Sequence, residues 1–247
     1  MKILFVRHAE PDYEHDSLTP KGFKEARFLG SYLKKKYPQI DEFYVSKFGR
    51  AKKTFEESFK YYPNASYEIC DWLIEFQGKA RRKDRDDSLS TCWDLLPSQM
   101  EEFPSLYDSF HWMESPLLNE EGATVKEEYK KVVAEFDKVL EKNGYRRNGL
   151  HYDVLENSDK VIAFYCHFGV ASVLMSHLMN CSPYSLWENT VLLPSSLTVF
   201  NSEERRKGIA SFRASKIGSL AHLDMNNEEE SFAARFCERF EDDTRHD

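Results

Sequence analysis

The first ten residues of the chain constrain its fold more than any other stretch. They read Met-Lys-Ile-Leu-Phe-Val-Arg-His-Ala-Glu, so a short apolar run ends abruptly in an arginine and a histidine. A continuous apolar run of this length is typical of a β-strand that is covered on both faces. Open α/β sheets bind ligands at the carboxyl ends of their strands. The run therefore predicts a central strand at residues 2–6 with Arg7 and His8 at a binding edge, the alternative being charges that are merely solvated.

Strands and helices are predicted to alternate along the rest of the chain. Apolar runs predict further strands at residues 42–47, 66–73 and 161–166. Helical spacing of apolar residues predicts a helix after Thr19, a suitable N-cap with Pro20 at the first helical position. Other helices are predicted after residue 46, from residue 125 and after residue 167. This alternation indicates one α/β domain over residues 1–247, with a mostly parallel central sheet and helices on both faces.

Two antiparallel elements and a last helix are predicted towards the end of the chain. The turn signal Asn148-Gly149 predicts a small ribbon, and residues 197–201 and 210–214 predict a closing hairpin. Phe232, Phe236 and Phe240 then follow helical spacing. This stripe packs either on its own core or across the interface of a homodimer, and the sequence leaves both open.

Three further polar motifs stand where predicted strands give way to helices. They are Leu18-Thr19-Pro20-Lys21-Gly22 with Glu25 and Ala26, Val45-Ser46-Lys47-Phe48-Gly49-Arg50-Ala51 with Thr54, and Cys166-His167-Phe168-Gly169. Arg50 falls in the first turn of its predicted helix, where backbone N–H groups and the helix dipole favour an anion. An arginine there is suited to bind phosphate, and the alternative is an ion pair with a surface carboxylate.

Together with Arg7-His8-Ala9-Glu10, these motifs resemble the histidine phosphatase superfamily, specifically its phosphoglycerate mutase-like branch. The resemblance implies that His8 is the nucleophile of a phosphohistidine intermediate, and that His167 contacts the phosphate and stabilises the transferring group. It also implies that Arg7 and Arg50 bind the phosphoryl oxygens and that Glu75 donates a proton to the leaving oxygen. No metal and no other cofactor is implied, because arginine and histidine supply the positive charge that phosphoryl transfer requires.

Some residues depart from the pattern of this family. Ala9 replaces the more usual glycine, and Glu14 stands where the mutases carry a phosphate-binding asparagine. We therefore expect a phosphatase that hydrolyses a small phosphomonoester. A phosphoglycerate mutase-type isomerase and a catalytically silent phospholigand-binding protein are the alternatives. Glu75 is placed just past a predicted strand, and Glu68 and Asp71 on that strand remain alternatives as proton donor.

Regular patterning fails between residues 79 and 122. This segment begins with a basic cluster that includes Arg81 and Arg82, and continues with aromatic residues among prolines. A long irregular connection within a compact domain is usually functional or disordered, and the aromatic content argues against disorder. We interpret it as an inserted cap that selects substrates. The alternative is a packing extension or dimer contact whose basic residues only form a solvated face.

Charge and cysteine usage limit the partners and the compartment. The formal net charge of -8 argues against nucleic-acid binding and leaves room for a local cationic pocket that binds a small phosphorylated substrate. No apolar run approaches the length of a membrane span, so no membrane partner is expected. Five cysteines without a Cys-x-x-Cys spacing, and a start without a signal-peptide pattern, predict a cytoplasmic protein.

Overall fold

The computed structural model describes residues 1–231 and Glu241. Its strands are β1 (Lys2–Arg7), β2 (Pro11–Asp12), β3 (Ser17–Leu18), β4 (Glu42–Ser46), β5 (Ser66–Cys70), β6 (Lys79–Arg82), β7 (Ser88–Thr91), β8 (Tyr145–Asn148), β9 (His151–Val154), β10 (Val161–Cys166), β11 (Leu197–Arg206) and β12 (Ile209–Ser219). Its helices are α1 (Pro20–Lys36), α2 (Gly49–Phe59), α3 (Pro97–Glu102), α4 (Val125–Lys142), α5 (Phe168–Met179), α6 (Tyr184–Trp187) and α7 (Ala221–Asp224). The predicted helix through Phe232, Phe236 and Phe240 lies outside the described residues.

Eight strands form the central sheet in the order β5-β4-β10-β1-β11-β12-β9-β8. Neighbours from β5 to β1 are parallel, and those from β1 to β8 are antiparallel. In the parallel half, Arg7 at the end of β1 is in register with Cys166 at the end of β10. Tyr165 pairs with Val45 of β4 on the other side. The residues that follow β1, β4 and β10 therefore meet at one edge of the sheet.

Helices cover both faces of this sheet, because successive side chains of a strand point to opposite sides. On β1, Ile3 and Phe5 pack into one buried cluster that includes Phe136 of α4 and residues of α5. Leu4 and Val6 pack into another with residues of α1 and α2. The predicted α/β fold with a large central sheet flanked by helices is confirmed.

Local sequence signals predicted some element boundaries correctly and others incorrectly. The Thr19 hydroxyl accepts a hydrogen bond from Gly22 N–H at 3.0 Å and caps α1, as predicted. The strand predicted at residues 66–73 ends earlier, because β5 stops at Cys70 and a 3₁₀ turn follows over Asp71–Leu73. The closing hairpin is longer than predicted, and the ribbon around Gly149 is present as β8 and β9. Long-range pairing extends strands beyond what a local pattern reveals.

The segment of residues 79–122 contains the β6–β7 hairpin, α3 and several 3₁₀ turns. One of its basic residues, Arg82, does not form part of a solvated cluster. Arg82 is fully buried and donates to both carboxylate oxygens of Asp84, at 2.9 and 2.7 Å. It also donates to three main-chain carbonyls, those of Thr91, Trp93 and Asp94. Arg82 therefore organises the segment from within. We use the name cap for residues 79–122 below.

Within the described residues, no helix combines the length and apolarity that crossing a membrane demands.

Candidate active site

Arg7 and His8 leave β1 side by side and both are buried. Nη1 of Arg7 donates a 2.5 Å hydrogen bond to the carbonyl of Leu192, which anchors the guanidinium. Nδ1 of His8 lies 2.8 Å from the carbonyl of Ala9. Because a carbonyl only accepts, this contact keeps the proton of a neutral imidazole on Nδ1 and leaves the lone pair on Nε2. Burial lowers the pKa of His8 well below its usual value, and the charges of Arg7 and Arg50 lower it further.

His167 follows β10 and lies against His8, with 5.0 Å between the ring centroids. Its Nε2 is 2.8 Å from the hydroxyl of Ser46 at the end of β4. That hydroxyl also accepts the N–H of Phe48, so its own proton is free to be donated to Nε2. In this arrangement the imidazole proton of His167 is on Nδ1. Burial, and then the nearby His8 and arginines, lower the pKa of His167 well below its usual value.

Arg50 lies in the first turn of α2, as predicted, and its guanidinium contacts a carboxylate. Nη1 donates to Oδ1 of Asp16 at 2.9 Å, and the N–H of Gly49 donates to Oδ2 at 2.6 Å. The rings of Phe48 and Tyr13 flank the guanidinium at 4.7 and 5.5 Å from their centroids. The carboxylate of Asp16 thus sits at the anion-binding position of the helix N-terminus.

One hydroxyl joins the backbone that follows β1 to the helix that carries Arg50. Oγ1 of Thr54 accepts the N–H of Ala9 at 2.9 Å and donates to the carbonyl of Arg50 at 2.8 Å. Thr54 is fully buried. The bond fixes the turn after His8 relative to the first turn of α2.

Glu75 is held between the cap and the start of α5. Its Oε1 accepts the N–H of Phe76 at 2.9 Å and that of Val170 at 3.2 Å. Burial raises the pKa of Glu75, while these two bonds and the charge of Arg7 oppose the shift. A raised pKa suits a group that must hold a proton before it donates one.

The two other carboxylates considered as proton donors face solvent. Glu68 is exposed on β5, an edge strand of the sheet. Asp71 has a side chain that is 85% exposed and forms a 3.1 Å ion pair with Lys47. The structure therefore brings Glu75 into the electrostatic field of Arg7 and Arg50 and leaves Glu68 and Asp71 exposed to solvent.

Three buried nitrogen atoms of this cluster lack a hydrogen-bond partner among the described residues. They are Nε of Arg7, Nε of Arg50 and Nδ1 of His167. Buried donors are nearly always satisfied in proteins, and charged donors are strongest towards anionic oxygens. When the Ser46 hydroxyl donates to Nε2 of His167, all three are donors beside a neutral histidine, an arrangement that can bind a tetrahedral oxyanion.

Sequence reasoning missed some contributors to this cluster. Asp16 and Tyr13 lie in the loop before α1, where nothing in the local pattern indicated that they reach Arg50. The carbonyl of Leu192 contributes through the backbone, which carries no side-chain signature. Within residues 1–231 and 241, no group of three or more His, Cys, Asp or Glu side chains is arranged to hold a metal ion.

Comparison with solved structures identifies the fold. A phosphoserine phosphatase from Entamoeba histolytica bound to phosphoserine superposes with a TM-score of 0.55 at 14% identity, over 90% of this chain and 98% of that chain. A mycobacterial glucosyl-3-phosphoglycerate phosphatase gives 0.54 at 16% identity, over 88% and 99%. The α-ribazole phosphatase from Shigella flexneri gives 0.51 at 16% identity, over 89% and 97%.

Residues 3–215 of the chain match the family described as the histidine phosphatase superfamily (branch 1). No curated protein sequence matches the chain significantly. Because the family match covers most of the chain, the protein belongs to the histidine phosphatase superfamily (branch 1), and the resemblance inferred from the four motifs is confirmed.

Proposed function

We propose that this protein is a phosphatase that hydrolyses a small phosphomonoester through a phosphohistidine on His8. The observation that carries the proposal is a set of three unpartnered buried nitrogen atoms, from Arg7, Arg50 and His167, beside a histidine whose pKa is lowered well below its usual value. Membership of the superfamily and the phosphatase activities named for the three structural relatives support the same class of reaction.

In the first step, Nε2 of His8 attacks phosphorus and the bond from phosphorus to the ester oxygen breaks. The bond from Nδ1 to the carbonyl of Ala9 keeps Nε2 unprotonated and so nucleophilic. Arg7 and Arg50 bind the equatorial oxygens as charge spreads over them, and Nδ1–H of His167 adds a third donor. Glu75 gives its proton to the departing alkoxide.

In the second step, water attacks the phosphohistidine and the phosphorus–nitrogen bond breaks. The carboxylate of Glu75, which lost its proton in the first step, accepts a proton from this water. Inorganic phosphate leaves, and His8 returns to its neutral state with Nε2 free. One carboxyl group thus acts as acid and then as base, and no co-reactant other than water is required.

The test is phosphate release from a panel of phosphomonoesters in the presence of a chelator, alongside a coupled phosphoglycerate mutase assay. Quenching turnover with an alkaline denaturant should trap phosphate in an acid-labile, base-stable bond at His8. His8→Ala should abolish turnover while far-ultraviolet circular dichroism is unchanged. His15→Ala is a matched control, since His15 is exposed and bonded to Asp12 within its own turn.

Three results would overturn the proposal. Trapped phosphate on a serine or an aspartate would place the protein in another mechanistic class. Isomerisation without net phosphate release would favour the mutase. Neither activity, together with thermal stabilisation by inorganic phosphate, would favour a silent phospholigand-binding protein.

A further inference from the structure

A cavity of about 340 Å³ lies beside the site, between the cap and α5. It is lined by residues 93–95 of the cap, by Phe168, and by residues 187–191. Its volume falls in the range of small-molecule pockets. The residues assigned to phosphate transfer do not line the cavity. The role of the cavity is therefore separate from binding the phosphoryl group.

The cavity lies close to Arg7, which we assign to phosphate binding, and to Glu75, which we assign to proton donation. The ring of Phe168 lies 6.0 Å from Cζ of Arg7. On the other side, a methyl group at Gly169 would stand 2.7 Å from Cη2 of Trp93 and 2.8 Å from Oε1 of Glu75. The Trp93 indole edge and the Glu75 carboxyl are therefore neighbours above the same glycine. Since Glu75 protonates the leaving oxygen in the proposed mechanism, the leaving group departs on the side of this cavity.

The lining combines aromatic rings with carboxyl groups. Trp93 and Trp187 lie 5.6 Å apart between ring centroids, and the indole N–H of Trp187 donates to the carbonyl of Gly169 at 3.0 Å, which fixes its ring. Glu188 is partly buried and accepts the N–H of Leu95 at 3.3 Å. Asp94 also lines the cavity, but it pairs with Arg85 at 3.5 Å, so Glu188 is the carboxyl that we assign to a bound cation.

Aromatic faces next to a carboxylate favour an organic cation over a neutral or anionic group. The cluster of Arg7 and Arg50 beside the cavity is cationic. The cluster and the cavity together are therefore complementary in charge to a zwitterionic ligand, with a phosphate at one end and a cation at the other. No lysine or arginine is among the described residues that line the cavity. A leaving group that carries a carboxylate or a second phosphate would meet Glu188 unfavourably.

We propose that this cavity binds the leaving group of the substrate, and that the substrate class is phosphate esters of amino alcohols, whose cationic nitrogen lies against Trp93, Trp187 and Glu188. This inference rests on the proposed phosphatase function and names its substrate class. It also disfavours phosphoglycerate, whose carboxylate has the wrong charge for the cavity.

The experiment compares two substrates that differ in charge and hardly in shape, phosphocholine and 3,3-dimethylbutyl phosphate. Because burial raises the pKa of Glu188 to about 7, the comparison is made at pH 8, where this carboxyl is mostly ionised, and we expect kcat/KM to be about tenfold higher for phosphocholine. Glu188→Gln retains an acceptor for the N–H of Leu95 and should reduce that preference at least fivefold. Glu102→Gln is the matched control, because Glu102 is an exposed carboxylate of the cap that pairs with Lys83 at 3.8 Å; it should leave the preference unchanged.

A second measurement does not depend on turnover. Calorimetry on the His8→Ala variant should give a dissociation constant about tenfold lower for phosphocholine than for 3,3-dimethylbutyl phosphate, and Glu188→Gln in that background should remove the difference. Equal affinities, or tighter binding of the neutral ester, would overturn the inference even when p-nitrophenyl phosphate is hydrolysed and phosphohistidine is trapped. Absence of any hydrolysis with the binding preference intact would instead count against the proposed phosphatase alone.

Discussion

Oδ1 of Asp16 accepts a hydrogen bond of 2.9 Å from Nη1 of Arg50, and the same carboxylate caps α2 through the N–H of Gly49. A substrate phosphate would use the same two donors, because both belong to the anion-binding end of the helix. The side chain of Asp16 is 46% exposed and can swing into solvent without being buried elsewhere. If Arg50 binds phosphate as proposed, Asp16 is an internal anion that competes for it.

Replacing Asp16 with asparagine should strengthen phosphate binding. The substitution removes a competing charge whose partly exposed pair contributes about 1 kcal/mol, which corresponds to a roughly fivefold lower inhibition constant for inorganic phosphate. Asp12→Asn, in the same loop and bonded to His15, is the control for loss of one negative charge. A weaker phosphate inhibition in Asp16→Asn would show that the carboxylate positions Arg50 and does not compete for it.

Arg50→Ala should lower kcat/KM at least a hundredfold, because removing a donor to the developing charge of a transition state costs about 3 kcal/mol. Lys53→Ala, one turn further along α2, should change it less than twofold, since Lys53 pairs with Glu56 on the exposed face. The two variants are compared in steady-state kinetics with p-nitrophenyl phosphate. Equally small effects of the two substitutions on kcat/KM would contradict a role for Arg50 in stabilising the transition state.

Glu75→Gln should separate substrates by the basicity of their leaving groups. A general acid matters most for a strongly basic alkoxide and least for p-nitrophenolate. We expect alkyl phosphates to slow at least a hundredfold and p-nitrophenyl phosphate less than tenfold, whereas Asp71→Asn should show no such split. The Glu75 pKa is raised, so native activity on alkyl phosphates should also decline at high pH as the carboxyl loses its proton. A uniform loss on both substrates would mean that the proton donor has been misassigned.

Stability should fall as pH rises through neutrality, because of Glu25. This residue is fully buried, accepts the N–H of Glu10 at 3.0 Å, and has a pKa that burial raises from 4.5 to about 7. A folded-state pKa above the unfolded value gives stability that is complete below pH 4.5 and is lost as pH rises through about 7. Between pH 5 and pH 8, the contribution lost is on the order of 3 kcal/mol.

Urea unfolding at several pH values measures this loss. Glu25→Gln should remove the contribution of Glu25 to the decrease in the free energy of unfolding with pH. Glu188→Gln should likewise remove the contribution of Glu188, because burial raises the pKa of Glu188 to about 7 as well. An unchanged slope in Glu25→Gln would show that Glu25 is ionised in the native protein at pH 7.

Arg82→Ala should destabilise the protein by about 3–5 kcal/mol, since it removes a buried guanidinium from its ion pair with Asp84 and from three main-chain carbonyls. Arg81→Ala should cost less than about 1 kcal/mol, because the Arg81 side chain is 35% exposed and its ion pairs with Asp87 and Glu120 are 3.8 and 3.9 Å long. Thermal unfolding of the two variants gives the comparison. Similar melting temperatures would contradict the organising role of Arg82.

The fold was predictable because its signals are local. The apolar run of β1, the hydroxyl of Thr19 that caps α1, and the stripe of α4 each depend on residues a few positions apart. Arg7, His8, Arg50 and His167 were placed at one edge of the sheet, since parallel strands put their carboxyl ends together. Their chemical roles, and that of Glu75, stay predictions that the experiments above test.

What the amino-acid order could not reveal depends on contacts between distant residues. Asp16 and Arg50 are 34 positions apart, and whether a carboxylate reaches an arginine depends on how the loop packs on α2. Arg82 appeared as one member of a basic cluster, and its burial follows from the β6–β7 hairpin closing around it. The cavity between the cap and α5 likewise requires the cap to be folded. Residue type and spacing define strands, helices and candidate chemistry, whereas pairing, burial and competition between charges arise when distant segments pack together.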